Sequence, residues 1–259
     1  MTDKTLQMTE RSKHNMIFFD VETNGLNPVT GYILQLSAIV YKGDITSDSS
    51  IFNQYIMPPS NVSITNHKIH NITYERLDNE NAKSFDVVFE ILTSWISFHF
   101  GNKDVYLIAH NCFIFDMRFI EVECKRHGIM IPSNWIFIDS LVQFRRYNSN
   151  IGSENYKLGT LYNYIKTDED NIEGDLHDSL YDVKILIFVY DKLTEQFTDN
   201  QMKQVLQNGK RSSVYNKTFL SCKLDHIICD KKCIRILYKN RLATINDLAI
   251  KYIELTKDI

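Results

Sequence analysis

Two carboxylates two residues apart, Asp20 and Glu22, close an apolar run that begins at Met16. On a β-strand, side chains at i and i+2 share a face, so the two acids project together. Like charges at the end of an apolar strand are costly unless a cation lies between them. Hard cations such as Mg²⁺ favour oxygen ligands of this kind. Asp-x-Glu alone is common and does not decide the matter. Asp116 ends the run Leu107-Ile108-Ala109-His110-Asn111-Cys112-Phe113-Ile114-Phe115-Asp116. It opens the helix that follows, where a carboxylate also suits the helix N-terminus with no further role. The third group is His177-Asp178-Ser179-Leu180-Tyr181-Asp182. With a helix starting near Asp178, Asp182 lies one turn inside it and His177 on the loop before. A histidine so placed can swing toward a metal-bound water. Alone, His177 reads first as a plain loop histidine. Asp178 reads as the helix cap, not as a ligand.

These groups need elements to hold them. Met16 to Val21 reads as a central strand and Thr23 to Pro28 as a turn. Tyr32 to Tyr41 and Ile51 to Met57 read as further strands, with hairpin signals at Lys42-Gly43-Asp44 between them. Pro58-Pro59 ends the third. Ser84 is placed to cap a helix whose apolar face is Phe85, Val88, Phe89, Leu92 and Ile96. Val105 to Ala109 and Trp135 to Ile138 suit short buried strands. Helices are predicted over Phe115 to His127, stopped by Gly128, and over Lys157 to Ile165 and Ser179 to Leu193. Strands followed by alternating helix and strand predict an α/β fold with a mixed sheet.

In order along the chain, these fragments resemble the DEDDh exonucleases, the DnaQ-like group. The resemblance runs from about Met16 to Leu193 and extends beyond the acids to Ile33-Leu34-Gln35-Leu36-Ser37-Ala38, Ile69-His70-Asn71-Ile72-Thr73, Ile138-Asp139-Ser140-Leu141 and Tyr156-Lys157-Leu158-Gly159-Thr160-Leu161. It implies a ribonuclease-H-like mixed five-stranded sheet flanked by helices. It also implies metal-dependent 3′→5′ hydrolysis of phosphodiester bonds at DNA 3′ ends, releasing mononucleotides. Two Mg²⁺ ions are expected, with Mn²⁺ able to substitute. Asp20 would bridge them, Glu22 and Asp182 would complete the first site, and Asp116 would support the second. His177 would be the general base. Thr23, Gly25, Leu26 and Ile72 would contact the substrate end, although Leu26 and Ile72 also suit ordinary packing. The first motif and the Asp116 spacing lean toward the three-prime repair exonucleases, which favour single-stranded or frayed ends. Two features depart from that branch: Asn71 stands where glycine is usual, and the proline-rich insertion is missing. An RNA-trimming exoribonuclease, a polymerase proofreading subunit and a catalytically inactive nucleic-acid-binding module are the rival readings. A homodimer or a polymerase partner stays open.

The 259 residues suffice for one large domain with an appendage, and no apolar run is long enough to span a bilayer. Residues 1–15 are polar and lack a signal-peptide core. The five cysteines form no disulfide framework, which points to an intracellular protein. The net charge of −3 is unevenly spread: residues 201–259 carry 12 Lys+Arg against 5 Asp+Glu. We therefore expect a flexible segment 1–15, an exonuclease domain 16–198 and a basic extension 199–259. Cys222, His226, Cys229 and Cys233 are close enough to suggest zinc, but core packing is favoured and zinc is left out of the expected cofactors. Ala243 to Leu255 reads as an amphipathic helix.

Overall fold

A computed structural model describes residues 14–41, 50–170 and 172–212. The loop after the second strand, the cysteine-rich cluster and the expected helix Ala243–Leu255 lie outside the described residues. The strands are β1 (Met16–Thr23), β2 (Ile33–Val40), β3 (Ile51–Tyr55), β4 (Val105–Ala109) and β5 (Trp135–Asp139). They form one sheet in the order β3-β2-β1-β4-β5. β2 runs antiparallel to both β1 and β3, while β1–β4 and β4–β5 are parallel. This is the mixed five-stranded sheet that the resemblance implies.

The helices are α1 (His67–His70), α2 (Tyr74–Asn79), α3 (Phe85–Phe100), α4 (Asp116–His127), α5 (Ser140–Tyr147), α6 (Leu158–Ile165), α7 (Ser179–Thr194) and α8 (Asp199–Gln207). α3 buries the five apolar residues that its spacing picks out. Ser84 stands at its N-cap position, but its side chain makes no cap hydrogen bond there. α4 ends on Gly128 at φ 66°, the left-handed C-cap expected of glycine. α1, α2, α5 and α8 were not predicted. They are short, or start directly from a strand, so they carry little periodicity.

Both sheet faces are covered, so every residue of β2 is buried. Alternation along β1 divides the core. Ile17, Phe19 and Val21 pack in the layer shared with α3 and α4, and Met16 and Phe18 in the layer shared with α6 and α7. The Phe18 and Tyr190 rings meet edge to face with centroids 5.0 Å apart. Fully burying each such side chain stabilises the fold by roughly 1.5–3 kcal/mol. The same alternation puts Asp20 and Glu22 on the α7 side, beyond the last apolar residue of that face.

The first compact unit extends to Ser212. Thr198 and Gln201 form a capping box that starts α8, and Met202 and Leu206 join the core. Lys210 then exchanges backbone hydrogen bonds with Phe137 of β5, each 2.8 Å. Among the described residues no helix is long and apolar enough to cross a membrane.

Candidate active site

Three elements deliver the four acids. β1 carries Asp20 and Glu22 to its C-terminal end, where the pairing with β2 shifts register between Glu22 and Thr23. Such an irregularity bends a strand and re-aims its side chains. Asp116 is the first residue of α4 and is 1% exposed. Its Oδ1 accepts the Val21 N–H at 3.3 Å, which ties α4 to the backbone between the first two acids. α7 brings Asp182. The Ser179 hydroxyl lies 2.6 Å from the Ser37 hydroxyl, and the Ser179 N–H donates to Gln35 Oε1 at 3.4 Å. These contacts fix the start of α7 on β2. Asp178 caps α7 by accepting from the Leu180 and Tyr181 N–H groups, as read from the sequence.

His177 sits exposed on the loop before α7 with φ 68°. Its N–H donates to Asp182 Oδ2 at 3.2 Å. Ligand atoms of Glu22, His177 and Asp182 all lie within 4.8 Å of one another.

The electrostatics are unfavourable without a counter-charge. Burial, then repulsion from Asp116, Asp182 and Glu22, holds the Asp20 carboxyl well above the usual carboxylate range. Burial and then Asp182 and Asp116 push Glu22 up to about 9. Burial pushes Asp116 to about 8, against the N–H bonds it accepts. Asp182 rises to about 7, again mainly by burial, although the His177 N–H opposes this. Among the described residues no Lys or Arg pairs with any of the four. Asp182 Oδ1 is buried with no hydrogen-bond partner. A hard divalent cation fits this donor set: it supplies the missing charge and a partner for the orphaned oxygen.

Asp139 contributes in a way the sequence reading did not anticipate. Its carboxylate accepts the N–H groups of Asn111 at 3.2 Å, Phe113 at 3.0 Å and Leu141 at 3.0 Å. It therefore shapes the loop that ends in Asp116 and caps α5 at the same time. His110 belongs to the same support. Nδ1 lies 3.0 Å from Ser140 Oγ and Nε2 lies 2.7 Å from the Tyr156 carbonyl. The signal for Asp139 was available, since an Asp directly before a helix start is a cap.

The expected substrate contacts divide. Leu26 is 86% exposed, and Gly25 has open space where a Cβ would stand. Thr23 is buried, and its hydroxyl donates to the Gly25 carbonyl at 2.7 Å, which shapes the turn. Ile72 is fully buried with Leu34 and Leu77, the ordinary packing that its position also suits. On the preceding short helix, Ile69 is 55% exposed. The Asn66 side chain donates to the Thr23 carbonyl at 2.8 Å and that of Asn24 to the Ser63 carbonyl at 3.1 Å. These bonds hold the α1 segment against the turn that carries Leu26.

Residues 17–190 match the family model RNase_T, described as Exonuclease. "Exonuclease DPD1, chloroplastic/mitochondrial" from Arabidopsis thaliana is 30% identical over 184 residues, covering 69% of this chain and 56% of that protein. A PolC-type DNA polymerase III from Caldanaerobacter subterraneus subsp. tengcongensis is 25% identical over 229 residues, covering 86% of this chain and 15% of the polymerase. The chain thus spans about half the length of the first relative and a small part of the second. The nuclease domain of 3′hExo, described as a DEDDh family member bound to rAMP, shares the fold with a TM-score of 0.57 at 17% identity, covering 70% of this chain and 92% of that one. With the family match spanning the sheet and the helices that carry all four acids, the chain belongs to the RNase_T exonuclease family.

Proposed function

We propose that the protein is a Mg²⁺-dependent 3′→5′ exonuclease that releases mononucleotides from DNA 3′ ends. One observation carries this reading: Asp20, Glu22, Asp116 and Asp182 converge from three elements, without a basic partner among the described residues, beside an exposed histidine. Exonucleases of this family use divalent metal ions. Asp20, Glu22 and Asp182 would hold one ion, and Asp116 with Asp20 a second. Bound there, the ions supply a Lewis acid for the attacking water and charge neutralisation at the departing 3′ oxygen.

The chain's own groups do the rest. His177 is exposed on its loop, so its imidazole can reach the attacking water and take the proton. Imidazole is the side chain that most often serves as a general base near neutral pH. The His177 N–H bond to Asp182 keeps this base beside the carboxylates. Leu26 and Ile69 offer exposed apolar surface for the terminal bases, which any base can use by stacking. DNA as substrate is supported by the likeness to a DNA polymerase.

A time course on end-labelled single- and double-stranded DNA and RNA, with and without Mg²⁺, tests the proposal. Mononucleotides should appear from the 3′ end of DNA, chelation should stop the reaction, and Mg²⁺ or Mn²⁺ should restore it. Cleavage that survives excess chelator sinks the metal-dependent reading. Faster trimming of RNA moves the substrate to RNA. A second reading, a proofreading subunit, is favoured by the match of 86% of this chain to the PolC-type polymerase. Co-purification of a polymerase with the tagged protein would support it.

A further inference from the structure

We propose that Arg76 is a positioning residue: it clamps the Asn71 turn and the His177–Asp178 loop together and so fixes where the His177 imidazole meets the substrate end. The inference rests on the exonuclease reading for its catalytic consequence, though not for the clamp itself. Arg76 lies on α2 and reaches three separate parts of the chain. One Nη donates to the Tyr55 hydroxyl on β3 at 2.5 Å and stands 3.7 Å from Asp178 Oδ2. The other donates to the Asn71 carbonyl at 3.4 Å. The guanidinium carbon lies 5.1 Å from the centroid of the Tyr55 ring. A planar fork with several fixed donors makes such a three-way contact, and a lysine cannot reproduce it.

Both loops that Arg76 joins hold backbone in the left-handed region, Asn71 at φ 54° and His177 at φ 68°. Asparagine takes that conformation readily as a helix C-cap, which is what Asn71 is, whereas at His177 the surroundings must hold it. Asp178 divides its carboxylate between two tasks. Oδ1 caps α7 through Leu180 at 3.0 Å and Tyr181 at 3.3 Å, and Oδ2 faces Arg76. The pivot between His177 and the helix that bears Asp182 is therefore held from both sides. Asn71, Arg76, His177 and Asp178 line one cavity of about 300 Å³, so the clamp spans its walls.

A purely structural role is weakly supported. α2 is capped by Thr73 and anchored by the fully buried Leu77, neither of which needs the Arg76 side chain. The Arg76–Asp178 pair is about one-third exposed on each side, and exposed pairs add little to stability.

The test uses the full chain with Arg76→Gln, Arg76→Lys, Asp178→Asn and the double variant Arg76→Gln/Asp178→Asn. Asparagine still caps a helix, so Asp178→Asn removes the charge and keeps the cap. On a short single-stranded oligonucleotide at saturating Mg²⁺, Arg76→Gln should lower kcat about 10- to 100-fold, the scale of a slight misplacement of reacting groups. KM and the melting temperature should change little, and Arg76→Lys should fall between. The double variant should be no worse than the poorer single one, because both act through one contact. Unchanged kcat, a defect confined to KM, or losses that multiply would overturn the proposal. Hydrogen exchange needs no activity and separates the two readings. Amides in 175–180 should exchange faster in Arg76→Gln while those of β1 do not. Unchanged exchange overturns the clamp, whereas a wild-type protein that cleaves nothing overturns only the exonuclease reading.

Discussion

Burial and mutual repulsion raise the Asp20, Glu22, Asp116 and Asp182 carboxyls together, which ties stability to pH and to metal. In the unfolded chain these groups titrate near 4. The folded protein therefore binds more protons than the unfolded one from about pH 4 up to about 9, the value for Glu22. Stability falls as pH rises wherever the folded state binds more protons. The metal-free protein should lose melting temperature between pH 6 and 9, and Mg²⁺ should recover most of the loss at the upper end. Asp20→Asn should flatten the metal-free slope and abolish the Mg²⁺ effect. A metal-free melting temperature that rises over that range, measured by differential scanning fluorimetry, contradicts this account. His177 supplies the kinetic counterpart. His177→Ala should lower kcat by about 10²–10⁴-fold and flatten the acid limb of the rate profile. An unchanged profile removes His177 from the role of base. The acids and His177 were legible as a set only through the ordered fragments that resemble the DEDDh exonucleases, while strand alternation alone put Asp20 and Glu22 on one face. Which way Ile72 faces was not legible, because it lies in the short link between α1 and α2 and belongs to no periodic element.

At the scale of elements, long periodic segments were readable and locally capped ones were not. α3 buries the face that its spacing predicts, and α7 forms where a helix is read from the sequence. α5 begins where β5 ends, so no loop composition separates them, and the signal lies in Asp139 alone. That residue has a testable consequence. Asp139→Ala leaves the N–H groups of Asn111, Phe113 and Leu141 without their acceptor, at the loop that positions Asp116. Leaving buried donors unsatisfied costs about 1–3 kcal/mol each, and water will recover part of that here. We expect a loss of about 2 kcal/mol in urea unfolding, together with a lower kcat from a displaced Asp116. A change below about 0.5 kcal/mol, within the range of ordinary surface substitutions, shows that the loop does not depend on Asp139. Asp139→Asn keeps one acceptor oxygen and should lie between the two proteins.

Charge is distributed over the whole molecule in a way no single element reveals. Residues 213–259 carry nine Lys+Arg against five Asp+Glu, a net of +4, so residues 1–212 carry −7 of the total −3. An acidic nuclease unit repels nucleic acid at long range, whereas bound cations attract phosphate only at the site. A basic extension would offset that repulsion and release counterions on binding. Two basic residues at the end of the described chain already have other partners. Arg211 pairs with Asp104 at 2.8 Å and donates to the Ser133 carbonyl, and Lys210 lies 4.0 Å from the Phe113 ring centroid. Altering them would disturb the folded unit. Lys231, Lys232 and Arg235, outside the described residues, are the better test. Their conversion to glutamate should weaken binding of single-stranded DNA in Ca²⁺ and flatten its dependence on salt. Each lost phosphate contact removes about 0.7 from the slope of log affinity against log salt, so losing three removes about 2. The rate on a saturating short oligonucleotide should change little, because the carboxylates and His177 are untouched. Unchanged affinity with an unchanged salt slope would show that the extension does not contact the strand. A lower melting temperature with the same slope would assign those three residues to stability instead.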